Sequence, residues 1–223
     1  MSLKDKLRLI VNKRYRISFS KSGEDIQLYK LLGKSQGMYL DIGCFEPITY
    51  SNTYHFYLRG WSGIVVDPNP ELAEKFKKIR PKDTFVNVGI SQNPGILKYY
   101  MLPRKMSSMN TFDYGFLEEK NLTNYIEKEI EVPLLRVEDL VQEYKLQGKI
   151  DFMDVDVEGL DYQVLMSNDW NSFRPTIVMV ETDQTIEEDM EGEVYRLMKS
   201  LKYNLLGKMV QTANGSGNLI FSK

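Results

Sequence analysis

Acids stand where apolar runs of this chain end, and their spacing suggests what they could do. Met38-Tyr-Leu-Asp-Ile-Gly-Cys44 carries one apolar run into Asp41 and Gly43, and Gly63-Ile-Val-Val-Asp67 carries another into Asp67, 26 positions after Asp41. That interval is about the length of one strand-helix-strand unit, so the two acids would close two successive buried strands. A carboxylate at the second position can accept hydrogen bonds from both hydroxyls of a ribose. A third run, Ile150 to Val155, ends in Asp154-Val-Asp156-Val-Glu158, whose alternation would place three acids on one face of an extended chain. Carboxylates so crowded repel one another unless a cation joins them or they divide into an acid and a base. Two readings of Asp154, Asp156 and Glu158 follow: a divalent metal site for magnesium or manganese, or a Glu158 that caps the next helix beside a solvated Asp with no metal.

An acid after a buried strand is often only a turn or cap residue, and it is the pair Asp41 and Asp67 that favours a ligand. The dinucleotide fingerprint G-x-G-x-x-G is missing, because Gly43 is followed by Cys44, Phe45, Glu46 and Pro47. Without that pyrophosphate cradle a phosphate-free nucleoside cofactor is favoured over NAD or FAD, and S-adenosylmethionine fits. On this reading Gly43 lets the backbone approach the cofactor, Asp41 orients the loop or meets an ammonium group, and Asp67, with Pro68 and Asn69 after it, binds the ribose. Ser51, Asn52 and Thr53 either meet a carboxylate or simply cap a helix. His55, the single histidine, lies one helical turn after Ser51 and is either a general base or a structural residue. Glu181 closes a later strand, where it faces an acceptor or a metal, or is a surface turn acid. Cys44, beside the cofactor loop, reads as a small buried residue.

The elements needed to hold these residues are legible as alternation. Apolar runs at 38–42, 62–67 and 84–89 are separated by helical spacing at 51–59 and 70–79, an order that argues for parallel strands with helices on both faces. Further strands are expected at 96–101, 130–135, 150–155 and 176–181, with helices at 115–129, 137–144, 160–167 and 187–201. Two last strands, 203–210 and 218–222, flank Ala213-Asn-Gly-Ser-Gly217, a hairpin signal that forces one strand to run backwards. The expected fold is therefore α/β: a Rossmann-like three-layer αβα sandwich whose seven-stranded, mostly parallel sheet ends in a C-terminal antiparallel hairpin strand. Residues 1–36 read as an N-terminal helical extension packing on the core, and 37–223 as one domain with an inserted loop and helix region around 102–135.

Composition narrows the classes. With 223 residues, 29 Lys and Arg against 31 Asp and Glu, the chain has no global electrostatic case for nucleic acid. One cysteine cannot form an internal disulfide, which suits a reducing cytoplasm, and no apolar run approaches the roughly 20 residues of a membrane span. Residues 3–16 are basic and amphipathic with an apolar core too short for a signal peptide, and read as a surface helix. The oligomeric state is not legible.

Taken in order, Ser22-Gly-Glu-Asp25, Tyr39-Leu-Asp-Ile-Gly43, Ser51-Asn-Thr53, Gly60-Trp-Ser-Gly63, Asp67-Pro-Asn-Pro70 and Asp154-Val-Asp-Val-Glu-Gly159 resemble the FkbM family of methyltransferases, from about residue 20 to the end. The first motif departs from the family in Cys44-Phe-Glu-Pro47, and Asp67 stands where many members have Glu. The resemblance implies a class I enzyme that moves a methyl group from S-adenosylmethionine to a hydroxyl of a sugar or glycan precursor. It implies catalytic roles for Asp156 and Glu158, a contact of Glu24 and Asp25 with the amino-acid end of the cofactor, and Val88 and Gly89 beside the adenine. Ser107, Ser108 and Asn110, in a Met-rich loop, are placed to bond sugar hydroxyls. The rival readings are an NAD(P)-linked or nucleotide-sugar oxidoreductase on a related sheet, and a noncatalytic cofactor-binding partner subunit.

Overall fold

The computed structural model describes residues 3–223; Met1 and Ser2, and the side chains of Asp5, Asn12, Lys13 and Tyr15, lie outside the description. Helices α1 (Leu3–Tyr15) and α2 (Glu24–Leu32) precede β1 (Met38–Ile42), α3 (Tyr54–Leu58), β2 (Ser62–Val66), α4 (Ala73–Ile79) and β3 (Thr84–Val86). Then come β4 (Gly89–Ile90), β5 (Gly95–Met101), α5 (Tyr114–Glu119), β6 (Lys128–Leu135), α6 (Val137–Glu143) and β7 (Phe152–Val155). The chain ends with α7 (Asp161–Met166), β8 (Ile177–Thr182), α8 (Ile186–Glu191), α9 (Glu193–Ser200), β9 (Asn204–Val210) and β10 (Gly217–Ser222).

Seven strands form the main sheet in the order β3-β2-β1-β7-β8-β10-β9. All neighbours are parallel except β10, which runs against both β8 and β9, as the Asn-Gly hairpin requires. Strands buried on both faces alternate between two cores. Leu40, Ile42, Met153, Val155, Val178 and Val180 face one core with Val137, Leu140, Val164, Leu165 and Met198. Tyr39, Phe152, Ile177 and Met179 face the other with Leu28, Phe56 and Phe76. Helices thus cover both faces, and the three-layer α/β fold follows from the period of two.

The sequence reading needs correction in four places. The strand expected over 84–89 divides: β3 stays in the main sheet, while β4 joins a second sheet of order β4-β6-β5. The chain leaves at Asn87, whose side-chain amide donates to the Asp67 carbonyl at 2.9 Å. The helix expected over 115–129 is only α5, because Asn121 turns to φ 57° and the alternating segment after it pairs as β6 with β5. The helix expected over 187–201 is broken by Gly192, extended at ψ 164°, into α8 and α9. Finally α3 begins at Tyr54, three residues later than expected, leaving Ser51, Asn52 and Thr53 outside the helix.

Candidate active site

Parallel pairing of β1 with β7 sets Asp41 level with Asp154, so two acids more than a hundred residues apart stand side by side on one face of the sheet. Beyond β1 the chain folds back, the Gly43 and Cys44 N–H groups both donating to the Val66 carbonyl at 2.9 and 3.1 Å. Gly43 has φ 86°, and a methyl group on it would lie 1.7 Å from the Asp156 carbonyl oxygen. Only glycine therefore lets the β1 loop lie against the β7 loop. These loops wall a cleft of about 860 Å³, counted to its open mouth, at the carboxyl ends of β1, β2 and β7. Asp41, Gly43, Asn52, Asp67, Pro68, Val88 and Gly89 line it, as do Ser107, Ser108 and Asn110 on another wall and Asp154, Asp156 and Glu158.

Asp67 is 7% exposed. One of its oxygens accepts from Phe45 N at 3.0 Å and the other from Asn69 N at 2.8 Å, which fixes the carboxylate and leaves each oxygen a further lone pair. Burial pushes the Asp67 carboxyl up to about 7 against those two bonds. Asp41 accepts from Thr53 Oγ1, and burial carries it up to about 6 against the pull of nearby Arg80 and Thr53. Asp154 accepts from Asn52 Nδ2 at 2.9 Å through Oδ2. Its Oδ1 is buried with no hydrogen-bond partner among the described residues, and burial followed by the Asp41 charge holds the acid well above the ordinary carboxylate range.

The three alternating acids do not share a face. β7 ends at Val155, and the chain then turns through Glu158 at φ 55° and Gly159 at φ 103°. Asp154 stays on the sheet with Asn52, while Asp156 and Glu158 meet Glu181 at the end of β8, with one carboxylate oxygen of each within 4.8 Å of the others. The acid set expected for a metal is thus corrected: Glu181 takes the place of Asp154. Lys21 faces this group, its Nζ 3.6 Å from Glu181 Oε1. Desolvation lowers the lysine, but the charges of Asp156, Glu181 and Glu158 outweigh it and the ammonium is held above its ordinary pKa. Burial, then Asp156, lifts the Glu158 carboxyl to about 8 while Lys21 opposes. A cation of the protein and a retained proton both relieve the crowding that suggested a metal.

Several expected site residues have partners within the protein, and some sit away from the cleft. Asp25 accepts from Phe19 N and Ser18 Oγ, both at 2.7 Å, and from Ile26 N at 2.8 Å. Glu24 accepts from Ser22 N and Gln211 Nε2, both at 2.8 Å. This pair does not line the cleft; it pins the 18–23 loop that carries Lys21 to it. Ser51 and Thr53 accept from the guanidinium of Arg80 at 3.2 and 2.9 Å, and the Ser51 hydroxyl also accepts from Tyr54 N at 3.1 Å. Asn69 accepts from Glu71 N at 3.0 Å and caps the turn into α4. Asn110 accepts from Leu102 N at 2.8 Å, closing the Met-rich loop on itself. His55 lines a different groove with Tyr29 and Arg59; burial and then the Arg59 charge lower it to about 4, so it is neutral there. The general-base role expected of His55 has no geometric basis. Cys44 is buried, as expected.

Sequence reasoning missed Lys21 and Arg80. Arg80 is fully buried and also donates to Asp83 at 2.6 Å and Tyr39 Oη at 2.9 Å. The signal for Lys21 was its place beside the Ser22-Gly-Glu-Asp25 motif. Arg80, in the turn before β3, carried none.

These buried acids set the pH dependence of the ligand-free protein. Asp41, Asp67, Asp161 and Glu158 keep their protons up to about 6, 7, 7 and 8 respectively, whereas the same groups in the unfolded chain lose them near pH ~4. Between those limits the folded state binds more protons, so its stability is full at acid pH and falls as pH rises. The melting temperature should be higher at about pH 5.5 than at about pH 8.5; the reverse order would contradict the assignment.

The Methyltransferase FkbM domain matches residues 41–205. No curated protein matches the chain. Similar solved structures include 1,6-didemethyltoxoflavin-N1-methyltransferase of Burkholderia thailandensis with bound 1,6-didemethyltoxoflavin and S-adenosylhomocysteine, at 10% identity over 99% of this chain and 89% of that chain, with a TM-score of 0.48. An O-methyltransferase from Bacillus cereus in complex with SAH is 12% identical over 100% and 92%, with a TM-score of 0.45. Fibrillarin of Aeropyrum pernix with bound S-adenosyl-L-methionine is 10% identical over 88% and 73%, with a TM-score of 0.45. Likeness at this level is too loose to assign a substrate or a site. The FkbM match is of another kind, running from the first acid of the cleft into β9 across most of the chain, and the chain belongs to the FkbM family of S-adenosylmethionine-dependent methyltransferases.

Proposed function

We propose that this enzyme methylates a hydroxyl of a sugar or glycan precursor, with cofactor and acceptor meeting in the cleft at the ends of β1, β2 and β7. The observation that carries the reading is the group of Asp156, Glu158 and Glu181 at that cleft, with one carboxyl lifted to about 8. An alcohol is a poor nucleophile until its proton begins to leave, so its methylation calls for a base that an amine can do without.

The residues present suit the cofactor. Asp67, fixed by two backbone N–H groups with lone pairs to spare, would hold the ribose hydroxyls. Val88 and Gly89, on the same wall, would flank the base. Asp154 Oδ1, buried and unpartnered in the cleft, would take the ammonium of the methionine portion beside Asp41. S-adenosylmethionine, when bound, would supply an electrophilic methyl group whose bond to the positively charged sulfur breaks with the electron pair left on sulfur, giving S-adenosylhomocysteine. Glu158 would accept the hydroxyl proton as the carbon–oxygen bond forms. Burial and Asp156 keep that carboxyl basic, and Lys21 keeps enough of it ionised to act. Ser108 on the opposite wall would orient the acceptor, and Asn110 shapes the loop that presents it. No step requires a metal ion.

Substituting Asp67 by Ala should weaken S-adenosylhomocysteine binding by tenfold or more, about 1.4 kcal/mol at least, because a ribose would lose its charged acceptor. Thermal-shift titration reads this directly, and an unchanged affinity would remove Asp67 from the site. The reaction itself is tested by incubating the enzyme with S-adenosylmethionine and sets of sugars, sugar nucleotides and amines. Release of S-adenosylhomocysteine with carbohydrate hydroxyls supports the reading, and methylation of amines alone would overturn it.

A further inference from the structure

The face of α1 that points away from the protein is built for contact with something else. Arg8 and Leu9 face inward: Arg8 donates to Tyr54 Oη at 3.0 Å, and Leu9 packs on the cluster of Tyr54, Tyr57 and Leu58. Leu3, Leu7 and Ile10 are left 83%, 63% and 66% exposed. Spaced i, i+4 and i+7, they form one apolar ridge along the helix. Exposed Lys4, Lys6 and Arg14 flank it. Residues 3–16 hold six basic residues against one acid, in a chain whose net charge is −2. A local excess of positive charge in an otherwise acidic protein therefore surrounds a row of exposed apolar side chains.

We propose that α1 seats the enzyme on a bilayer surface rich in anionic phospholipid. The ridge would enter the boundary between headgroups and acyl chains while the flanking lysines and arginines meet lipid phosphates. The charge pattern decides among occupants. A second copy laid ridge to ridge would bring two sets of six basic residues together. A nucleic acid would use the charge but leave Leu3, Leu7 and Ile10 in water. A bilayer of anionic lipid satisfies both features at once. Among the described residues no helix is long and apolar enough to cross a membrane, so the attachment is peripheral. It is independent of the acceptor proposed above.

The test is co-sedimentation of the whole protein with vesicles of phosphatidylglycerol and phosphatidylcholine, and with vesicles of phosphatidylcholine alone. Binding is expected only to the anionic vesicles and should fall steeply with added salt. Two variants separate the contributions: Lys4→Glu with Lys6→Glu, and Leu7→Gln with Ile10→Gln. Glutamine and glutamate both favour helices, and circular dichroism verifies that each variant folds. Each should lose at least tenfold in vesicle binding. The proposal fails if the wild type ignores anionic vesicles. It also fails if the Leu7→Gln, Ile10→Gln variant binds them as well as the wild type, which would leave a simple polyanion patch. A wild-type dimer in solution that those two glutamines dissolve would likewise overturn it.

Discussion

Replacing Glu158 by glutamine is expected to slow methyl transfer by about 10²- to 10⁴-fold while leaving cofactor affinity within a few fold, the range typical for loss of a general base. The size follows from where the residue sits. Burial and the neighbouring Asp156 hold the Glu158 carboxyl near 8, basic enough to take a proton from an alcohol as its new bond forms. A group with so high a pKa is mostly protonated below it, so the wild-type rate should climb with pH and level off near about 8. Burial holds the neighbouring Glu181 carboxyl well above the ordinary range too, and it lies close enough to couple, so the limb belongs to the Glu158 and Glu181 pair. Glutamine cannot titrate, and the variant's rate should be flat across that limb. Exchanging Lys21 for Met removes a positive charge that lowers Glu158, and the limb should then move to higher pH. A Glu158→Gln enzyme with the wild-type rate and profile would end the assignment.

The second large effect concerns stability. Arg80→Met should destabilise the protein by about 3–5 kcal/mol, the usual consequence of stranding one partner of a buried ion pair. For a chain of this length that corresponds to a fall in melting temperature of roughly 6 to 20 °C. The pair is not a simple asset. Burial holds Asp83 above the ordinary carboxylate range even with Arg80 beside it, so the attraction only partly offsets desolvation. What the arginine supplies is satisfaction of groups that cannot reach water. Its N–H donors serve Asp83, Tyr39, Ser51 and Thr53, and the Thr53 hydroxyl in turn donates a hydrogen bond to Asp41. Adding Asp83→Asn to Arg80→Met should therefore recover part of the loss, since a neutral amide is cheaper to leave unpaired than a carboxylate. A single variant melting within about 2 °C of the wild type would show the network to be dispensable.

The contrast between Arg80 and Asp67 marks how far the sequence could be read. Asp67 closes an apolar strand, so local pattern alone assigned it to a sheet edge. Arg80 lies in a polar turn whose burial depends on Tyr39 and the Ser51 to Thr53 loop converging from two other segments, and no local pattern reports that. The same holds for Asp41 and Asp154. Each was visible at a strand end, but their lateral pairing follows from the β1 to β7 register, a crossover fixed by global topology. The alternation of Asp154, Asp156 and Glu158 misled because strand geometry was carried past Val155, where the chain turns and sends Glu158 towards Glu181 instead. The helices expected over 115–129 and 187–201 are interrupted at residues with turn propensity, Asn121 and Gly192, inside segments of adequate helical spacing. The strands were legible because two-sided burial writes a nearly continuous apolar run.

The most direct measurement is calorimetric titration of the purified protein with S-adenosylhomocysteine and, separately, with NADH, near neutral pH. The cleft as described predicts stoichiometric binding of S-adenosylhomocysteine and none of NADH, because Asp67 and Asp154 offer acceptors to a ribose and an ammonium while the β1 loop lacks the glycines that hold a pyrophosphate. Binding of NADH with no response to S-adenosylhomocysteine would contradict it.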